Sequence, residues 1–454
     1  MKEKKYLHAG QKIAYGLGDF GGNFCFTFVS SFVLIYLTDI VGLNSGIVGV
    51  LMLISKIFDG VSDVLFGAAI DRTHTRFGKA KPWFLATMLP LAVCTFLEFT
   101  IPSWEKGLQY AYFLIVYLLL NAGFFTIVNI AYNTMTALIT KNKTEQVQLG
   151  VSRYVFALAA AMAISVATPI LVNTFGGGAA GWRMVALLYS AVQLIACLIC
   201  GLSVKELPEE ELYEQKPDDA AKRPQKFWKT LGYLFTNKYF LLLLGINIAN
   251  QMMNSISQSV GIFYVTHILG NANAFGLFSM AGMLPMVIGL FFTPLFVRKF
   301  GMYKTNVWSL AAALALGIPY IILGMHRQLV LMLTLLAVRG VFTSPLTGTL
   351  NALTAETSHN AYLKTGQKME GSMFACSSMG IKIGSGIGLA VAGWLLDISG
   401  YDGLLAVQPD SALDMITIMY LVLPVLSIGI QLLFMLGLNV EKDNTRLTAG
   451  AQRQ

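Results

Sequence analysis

Charge is what this sequence has least of. Only 12% of its 454 residues are Asp, Glu, Lys or Arg, while 55% are hydrophobic and the mean hydropathy is +0.63. A soluble chain carries about 25% charged residues. At half that level a folded surface is poorly wetted, so an ordinary soluble protein is excluded and the expected solvent is a bilayer. Cysteine is sparse and odd in number, five in all, which excludes a disulfide scaffold. Glycine (43) and proline (13) occur at ordinary levels, which excludes fibrous and disordered classes. The five histidines, His8, His74, His267, His326 and His359, fall in loops or at the ends of apolar runs. No histidine metal site or mid-membrane proton shuttle is expected from them.

What is present is a series of long apolar runs. A bilayer-crossing helix needs about 20 mostly apolar residues. Twelve runs qualify, with cores near 13–38, 45–70, 82–101, 108–139, 150–173, 182–204, 239–266, 273–297, 304–325, 328–356, 369–396 and 412–437. They are too long for barrel strands and do not alternate in steps of two. The basic start, Met1 to Lys12, precedes a long run without a small-residue cleavage site, so it reads as a retained first span.

The 32 Lys and Arg residues sort by loop. Twenty-five fall on one set of alternate loops and the two termini, and three (Lys106, Arg183, Arg327) fall on the other set. Lys56, Arg153, Arg339 and Lys382 lie inside spans. The positive-inside rule then places both termini and the central loop in the cytoplasm. The net charge of +8 reflects topology, and no nucleic-acid partner is expected. One long polar stretch, 205–230, divides the spans six and six, and Phe227-Trp228-Lys229 within it suggests an amphipathic helix on the inner surface. A weak repeat links the halves: Arg76-Phe77-Gly78-Lys79 follows span 2, and Lys299-Phe300-Gly301 with Lys304 follows span 8. The expected fold is an all-α membrane protein of twelve transmembrane helices in two six-helix halves, the major facilitator architecture. Residues 1–204 and 231–440 form the halves, 205–230 the central loop and 441–454 a cytoplasmic tail.

Ionisable groups inside a bilayer cost several kcal/mol unless a cavity or partner receives them. In span 2, Asp59 and Asp63 are four apart and share a helix face flanked by Lys56 and Ser62. Two adjacent carboxylates need a cation or a proton, so a Na⁺ or H⁺ coupling site is one reading. A structural network neutralised by Lys56, Arg153 or Lys382 is the other. Asp19, Asn23 and Thr27 step along span 1, with Asp19 placed for gating or for ligand contact. Span 4 carries Thr126, Asn129 and Asn133 beside Tyr132, and span 7 carries Asn247, Asn250, Gln251, Asn254, Ser255 and Gln258. Amides can glue membrane helices together. Stripes this dense also suit a cavity for a polyhydroxylated ligand, because each amide both donates and accepts. Gly384, Gly386 and Gly388 around Lys382 follow no strand and read as helix packing rather than a phosphate loop, and Cys197 and Cys200 read as packing. Asn142-Lys143-Thr144 is a glycosylation sequon on a cytoplasmic loop and is expected to be silent. Arg339 has no evident partner. No nucleophile–base–histidine set faces the interior, so no enzyme is expected.

Several stretches together resemble the glycoside–pentoside–hexuronide:cation symporter family. They are Tyr15-Gly16-Leu17-Gly18-Asp19-Phe20-Gly21, Phe58-Asp59-Gly60-Val61-Ser62-Asp63 and Thr75-Arg76-Phe77-Gly78-Lys79-Ala80-Lys81-Pro82-Trp83, the most specific. Val128-Asn129-Ile130-Ala131-Tyr132, Lys364-Thr365-Gly366, Glu370-Gly371 and Lys382 add to them, over residues 12 to 440. The resemblance implies that Asp59 and Asp63 are cation-site acids, with Ser62 and Thr126 supplying further oxygens. It implies that Arg153 and Lys382 organise the sugar and cation sites. Asn23, Asn129 and Asn133 replace the acids and tryptophan of the melibiose-carrier branch, a pattern more similar to the glucuronide and xyloside branch. Ser358-His359-Asn360-Ala361-Tyr362 departs from the family's acidic turn and is expected to be a cytoplasmic loop.

The resulting expectation is a monomeric secondary transporter of the plasma (inner) membrane that couples Na⁺ or H⁺ to uptake of a glycoside, pentoside or hexuronide, with no cofactor. Asn23, Asn129, Asn133, Arg153, Lys382, Asn250 and Asn254 are the candidate sugar contacts, and Asp19, Lys56 and Arg76 the candidate gating charges. Internal Asp19, Asp59 and Asp63 against Lys56, Arg153, Arg339 and Lys382 leave one positive charge in excess, too little to choose between an acidic and a neutral sugar. A lysolipid or amphiphile carrier is the alternative left open by Phe24, Phe26 and Phe28, and a non-transporting membrane sensor is another.

Overall fold

The computed structural model describes residues 5–73, 75–208, 235–365, 370–405 and 407–451. Among them there is no strand beyond an isolated bridge between Thr75 and Gly78. The expected amphipathic segment at Phe227 to Lys229, and His74, lie outside the described residues.

The helices are α1 (Ala9–Ile35), α2 (Ser45–Asp71), α3 (Lys81–Glu98), α4 (Lys106–Leu118), α5 (Thr126–Leu138), α6 (Lys143–Thr174), α7 (Gly178–Ser203) and α8 (Lys238–Phe263). They continue with α9 (Phe275–Phe300), α10 (Met302–Met325), α11 (Leu329–Thr365), α12 (Glu370–Ile398), α13 (Asp410–Thr417), α14 (Leu423–Gly437) and α15 (Val440–Ala451). A π-helical turn, Leu119–Phe125, joins α4 to α5, and another, Ile418–Val422, joins α13 to α14. Counting each joined pair as one rod gives twelve long helices among the described residues, each on one of the twelve apolar runs. Nine of the stretches are long and apolar enough by themselves to cross a bilayer. Side chains that face away from the protein are apolar: Phe291 is 78% exposed and Val330 77%. That is the surface of a protein whose solvent is lipid.

The chain packs as two compact units. The first comprises 1–220 with 261–276 and 390–412, and the second comprises 221–260, 277–389 and 413–454. In the first, α1 packs on α6 and α7, and α2 packs on α5 and the π-turn before it. Phe28, Phe99, Trp182 and Tyr189 form its aromatic core, with Phe28 and Phe99 stacked at 4.0 Å. In the second, Leu243, Leu310, Leu346, Ile428 and Met435 form a core between α8, α10, α11 and α14. There α12 lies close to α8 because a Cβ at Gly384 would sit 2.7 Å from the Ile248 carbonyl. Gly384 and Gly388, where a Cβ would meet the Ile248 and Met252 carbonyls, therefore serve close helix packing.

One local expectation changes. The segment Ser358 to Tyr362 is not a loop: α11 runs unbroken to Thr365. The stretch at the carboxyl end forms a helix, α15, held on α11 through Asn444, whose amide donates to the Glu356 carboxylate at 2.8 Å and whose oxygen accepts from Asn360 at 2.8 Å.

Candidate functional site

The strongest polar cluster of the first unit is built on α2. Asp59 is 6% exposed. Thr126 Oγ1 lies 2.5 Å from Asp59 Oδ1 and 2.9 Å from the Asn121 carbonyl. Lys56 Nζ is 3.8 Å from Asp59 Oδ2 and donates to Asn121 Oδ1 at 3.2 Å. Asn121 is the residue that reading the sequence missed. It reaches the cluster because the π-turn Leu119–Phe125 inserts an extra residue into the helix and turns Asn121 and Thr126 toward α2 together. Asp63 is half-buried one turn along α2. Ser62 is buried, but its hydroxyl donates to the Asp59 backbone carbonyl at 3.0 Å rather than to a carboxylate.

A second cluster joins α1, α5 and α6. Arg153 Nε donates to Asp19 Oδ2 at 2.6 Å, its Nη1 to Thr136 at 3.2 Å, and its guanidinium lies 4.3 Å from the centre of the Tyr132 ring. Tyr15 and Tyr132 stack at 4.6 Å, and each hydroxyl donates to the other's backbone carbonyl. Arg153 is thus held on three sides. Asn23 donates to the Asp19 backbone carbonyl at 2.8 Å, so its amide N–H is engaged within its own helix. Asn129 and Asn133 are exposed on α5 and bond to one another at 2.6 Å.

Arg76 is exposed in the loop before α3, with its guanidinium over the Phe77 ring at 4.7 Å. Beside it, Glu206 accepts backbone N–H bonds from Lys79 (2.7 Å), Ala80 (3.0 Å) and Lys81 (2.5 Å). A third polar cluster that the sequence did not reveal joins residues far apart in the chain: Tyr401 donates to Asp39 Oδ1 at 2.8 Å and lies 2.9 Å from His267 Nε2. Glu98, 1% exposed, has no hydrogen-bond partner on either oxygen among the described residues.

The second unit holds a cavity of about 430 Å³. Asn247, Asn250, Gln251 and Asn254 of α8 line it, together with Arg339, Thr343, Thr347 and Asn351 of α11 and Gln431 of α14. Four of the six span-7 residues therefore share a cavity wall. Ser255 instead bonds to Ser385 of α12 at 2.8 Å, an interhelical contact. Lys382 is half-buried on α12. Of the aromatics that left an amphiphile carrier open, Phe24 and Phe28 are buried in packing and Phe26 stacks on Phe125 at 5.7 Å. The described residues contain no group of three or more His, Cys, Asp and Glu able to hold a metal ion.

A family model described as MFS/sugar transport protein matches residues 14–442. The chain is 28% identical to an uncharacterized symporter, YnaJ, of Bacillus subtilis, over 93% of this chain and 89% of that protein. It is 27% identical to the isoprimeverose transporter of Lactiplantibacillus pentosus, over 99% of this chain and 93% of that protein. Among solved structures it resembles the nucleoside transporter NupG, with a TM-score of 0.65 at 13% identity, over 94% of this chain and 98% of that one, a likeness of fold.

Proposed function

Because the chain belongs to the MFS/sugar transport protein family, within its glycoside–pentoside–hexuronide:cation symporters, we propose that it moves a glycoside-like sugar across the inner membrane together with Na⁺ or H⁺. The family is one of membrane transporters and not of enzymes. The observation that carries the coupling is the buried Asp59 carboxylate, with a hydroxyl at 2.5 Å and an ammonium at 3.8 Å. A carboxylate kept in a membrane helix is expensive, and a transported cation offsets that cost. Asp59, Asp63 and the Thr126 hydroxyl supply oxygens for the cation. Lys56 stands in for it when the site is empty and withdraws toward Asn121 when the cation enters.

Sugar contacts come from Arg153 and Lys382 and from the amides Asn23, Asn129, Asn133, Asn250 and Asn254. Asp19 holds Arg153, and Arg76 acts in the cytoplasmic gate. Transport proceeds by alternating access of the halves 1–204 and 231–440. Linkage requires the sugar to tighten cation binding as much as the cation tightens sugar binding. The likeness to the isoprimeverose transporter supports a sugar as the substrate.

The test is solute counterflow in proteoliposomes, with methyl glucosides, xylosides and glucuronides, each with and without Na⁺. Exchange of one of them that depends on Na⁺ or on pH is expected. Absence of exchange for every sugar overturns the reading. Asp63→Asn is expected to keep sugar binding and lose accumulation against a gradient, and full accumulation in that variant removes the coupling role.

A further inference from the structure

Like Glu98, Arg339 is a buried charged side chain with unpartnered polar atoms among the described residues, and it lines a cavity. Asp59 has Lys56 within 3.8 Å and Asp19 has Arg153 at 2.6 Å. Arg339 is 6% exposed, and no acidic side chain lies within 4 Å of it among the described residues. Its Nε and Nη1 are buried with no hydrogen-bond acceptor. One face of the guanidinium is supported by the Tyr320 ring, 4.5 Å from its central carbon.

Arginine does not escape this position by losing its proton. A buried guanidinium without acceptors carries a desolvation cost of several kcal/mol that an aromatic face, worth about 2 kcal/mol when desolvated, offsets only in part. A stack on the ring face leaves the N–H donors in the guanidinium plane unoccupied, and those are the donors that grip an oxyanion in a two-pronged fork. Arg339 lines the 430 Å³ cavity, within the usual size range for a small-molecule site. The rest of the lining includes amides and hydroxyls, Asn250, Asn254, Thr343 and Gln431 among them. Those groups suit sugar hydroxyls and leave the positive charge unanswered.

We propose that Arg339 binds an oxyanion carried by the transported sugar, so that the cavity of the second unit selects an acidic sugar, a hexuronide, over its neutral counterpart. This rests on the reading of the protein as a sugar transporter and narrows its substrate. The carboxylate of the sugar completes the fork of Arg339, and the amide walls orient the ring. A neutral glycoside would leave the guanidinium buried and unpaired, the condition under which a site rejects the analogue that lacks its partner group.

The experiment uses the full-length transporter in proteoliposomes. Counterflow of methyl β-glucuronide and of methyl β-glucoside is compared in zwitterionic buffer, with and without chloride. Wild type is expected to exchange the glucuronide at least tenfold faster. Arg339→Gln is expected to cut the glucuronide-to-glucoside ratio at least tenfold, and Arg339→Lys to restore part of it by returning the charge. In detergent, the glucuronide is expected to raise the melting temperature of wild type and not that of Arg339→Gln. Equal exchange of the two sugars by wild type, or an unchanged ratio in Arg339→Gln, overturns the inference and leaves sugar transport standing. Glucoside exchange that requires chloride also overturns it, because the site then holds a free anion. If wild type exchanges no sugar, the transport reading itself fails and the inference falls with it. Should Arg339→Gln not reach the membrane, the wild-type preference and the glucuronide-induced melting shift decide.

Discussion

At Asp59 the carboxylate has the Thr126 hydroxyl and the Lys56 ammonium within reach, and the ammonium brings a positive charge. Removing one member of a buried ion pair leaves the other uncompensated. Lys56→Gln therefore leaves Asp59 with a stronger demand for a cation. The expected outcome is a fall of about tenfold in the cation concentration that gives half-maximal counterflow, equivalent to about 1.4 kcal/mol. An unchanged half-saturation would show that Lys56 does not occupy the cation's place. The meeting of Asp59 with Thr126 was legible in the sequence, because a carboxylate in an apolar helix is conspicuous and the family resemblance pointed to Thr126. The fate of the Ser62 and Asn23 donors was not legible, since a polar side chain in a helix can turn back to its own backbone, and both do. Asn121 was hidden for another reason. Its approach to Lys56 depends on a π-turn, and no residue pattern announces a π-turn.

Two helix starts repeat one device. The N-terminal amides of α3 are held by the Glu206 carboxylate, and those of α10 by Glu441, which accepts from Met302 at 3.1 Å and Tyr303 at 2.9 Å. Each helix follows a glycine with positive φ, Gly78 at 110° and Gly301 at 82°, in a conformation that side-chain-bearing residues rarely adopt. The Phe-Gly repeat seen in the sequence is the visible half of this motif. The glutamates lie more than a hundred residues away, so pattern reading finds the loops and not their anchors. A carboxylate at a helix N-terminus gains from hydrogen bonds and from the helix dipole. Glu206→Gln and Glu441→Gln are each expected to cost about 1–2 kcal/mol, read as a lower melting temperature in detergent. Equal melting of variant and wild type would remove the anchoring role. Glu145 does similar work at the amino end, where it accepts from the backbones of Tyr6 and Leu7, bonds to Thr140 and pairs with Lys12 at 3.1 Å. Burial pushes its carboxyl upward, but the hydrogen bonds outweigh that and hold it below its usual range. A depressed folded value contributes stability above the unfolded pKa, near 4.5, which is lost as pH falls through the folded value. Wild type is therefore expected to lose more melting temperature between pH 6 and pH 3 than Glu145→Gln does. Parallel curves would contradict this.

For the molecule as a whole, the twelve apolar runs and the twelve long helices agree because hydropathy over 20 residues averages away the local detail that side-chain contacts depend on. An even number of crossings puts both termini on one side of the bilayer, and the distribution of Lys and Arg decides which side. Twenty-five basic residues fall on the loops shared with the termini, and three on the opposite loops. Each misplaced basic loop works against insertion, so the inverted arrangement has to overcome all of them at once. Green fluorescent protein fused after Gln454 is therefore expected to fluoresce, and alkaline phosphatase fused there to stay inactive. Phosphatase fused after Trp104, between α3 and α4, is expected to be active. The opposite pair of results would invert the topology. It would then put Arg76 and the loop before α3 outside the cell, and their assignment to a cytoplasmic gate would fail with it.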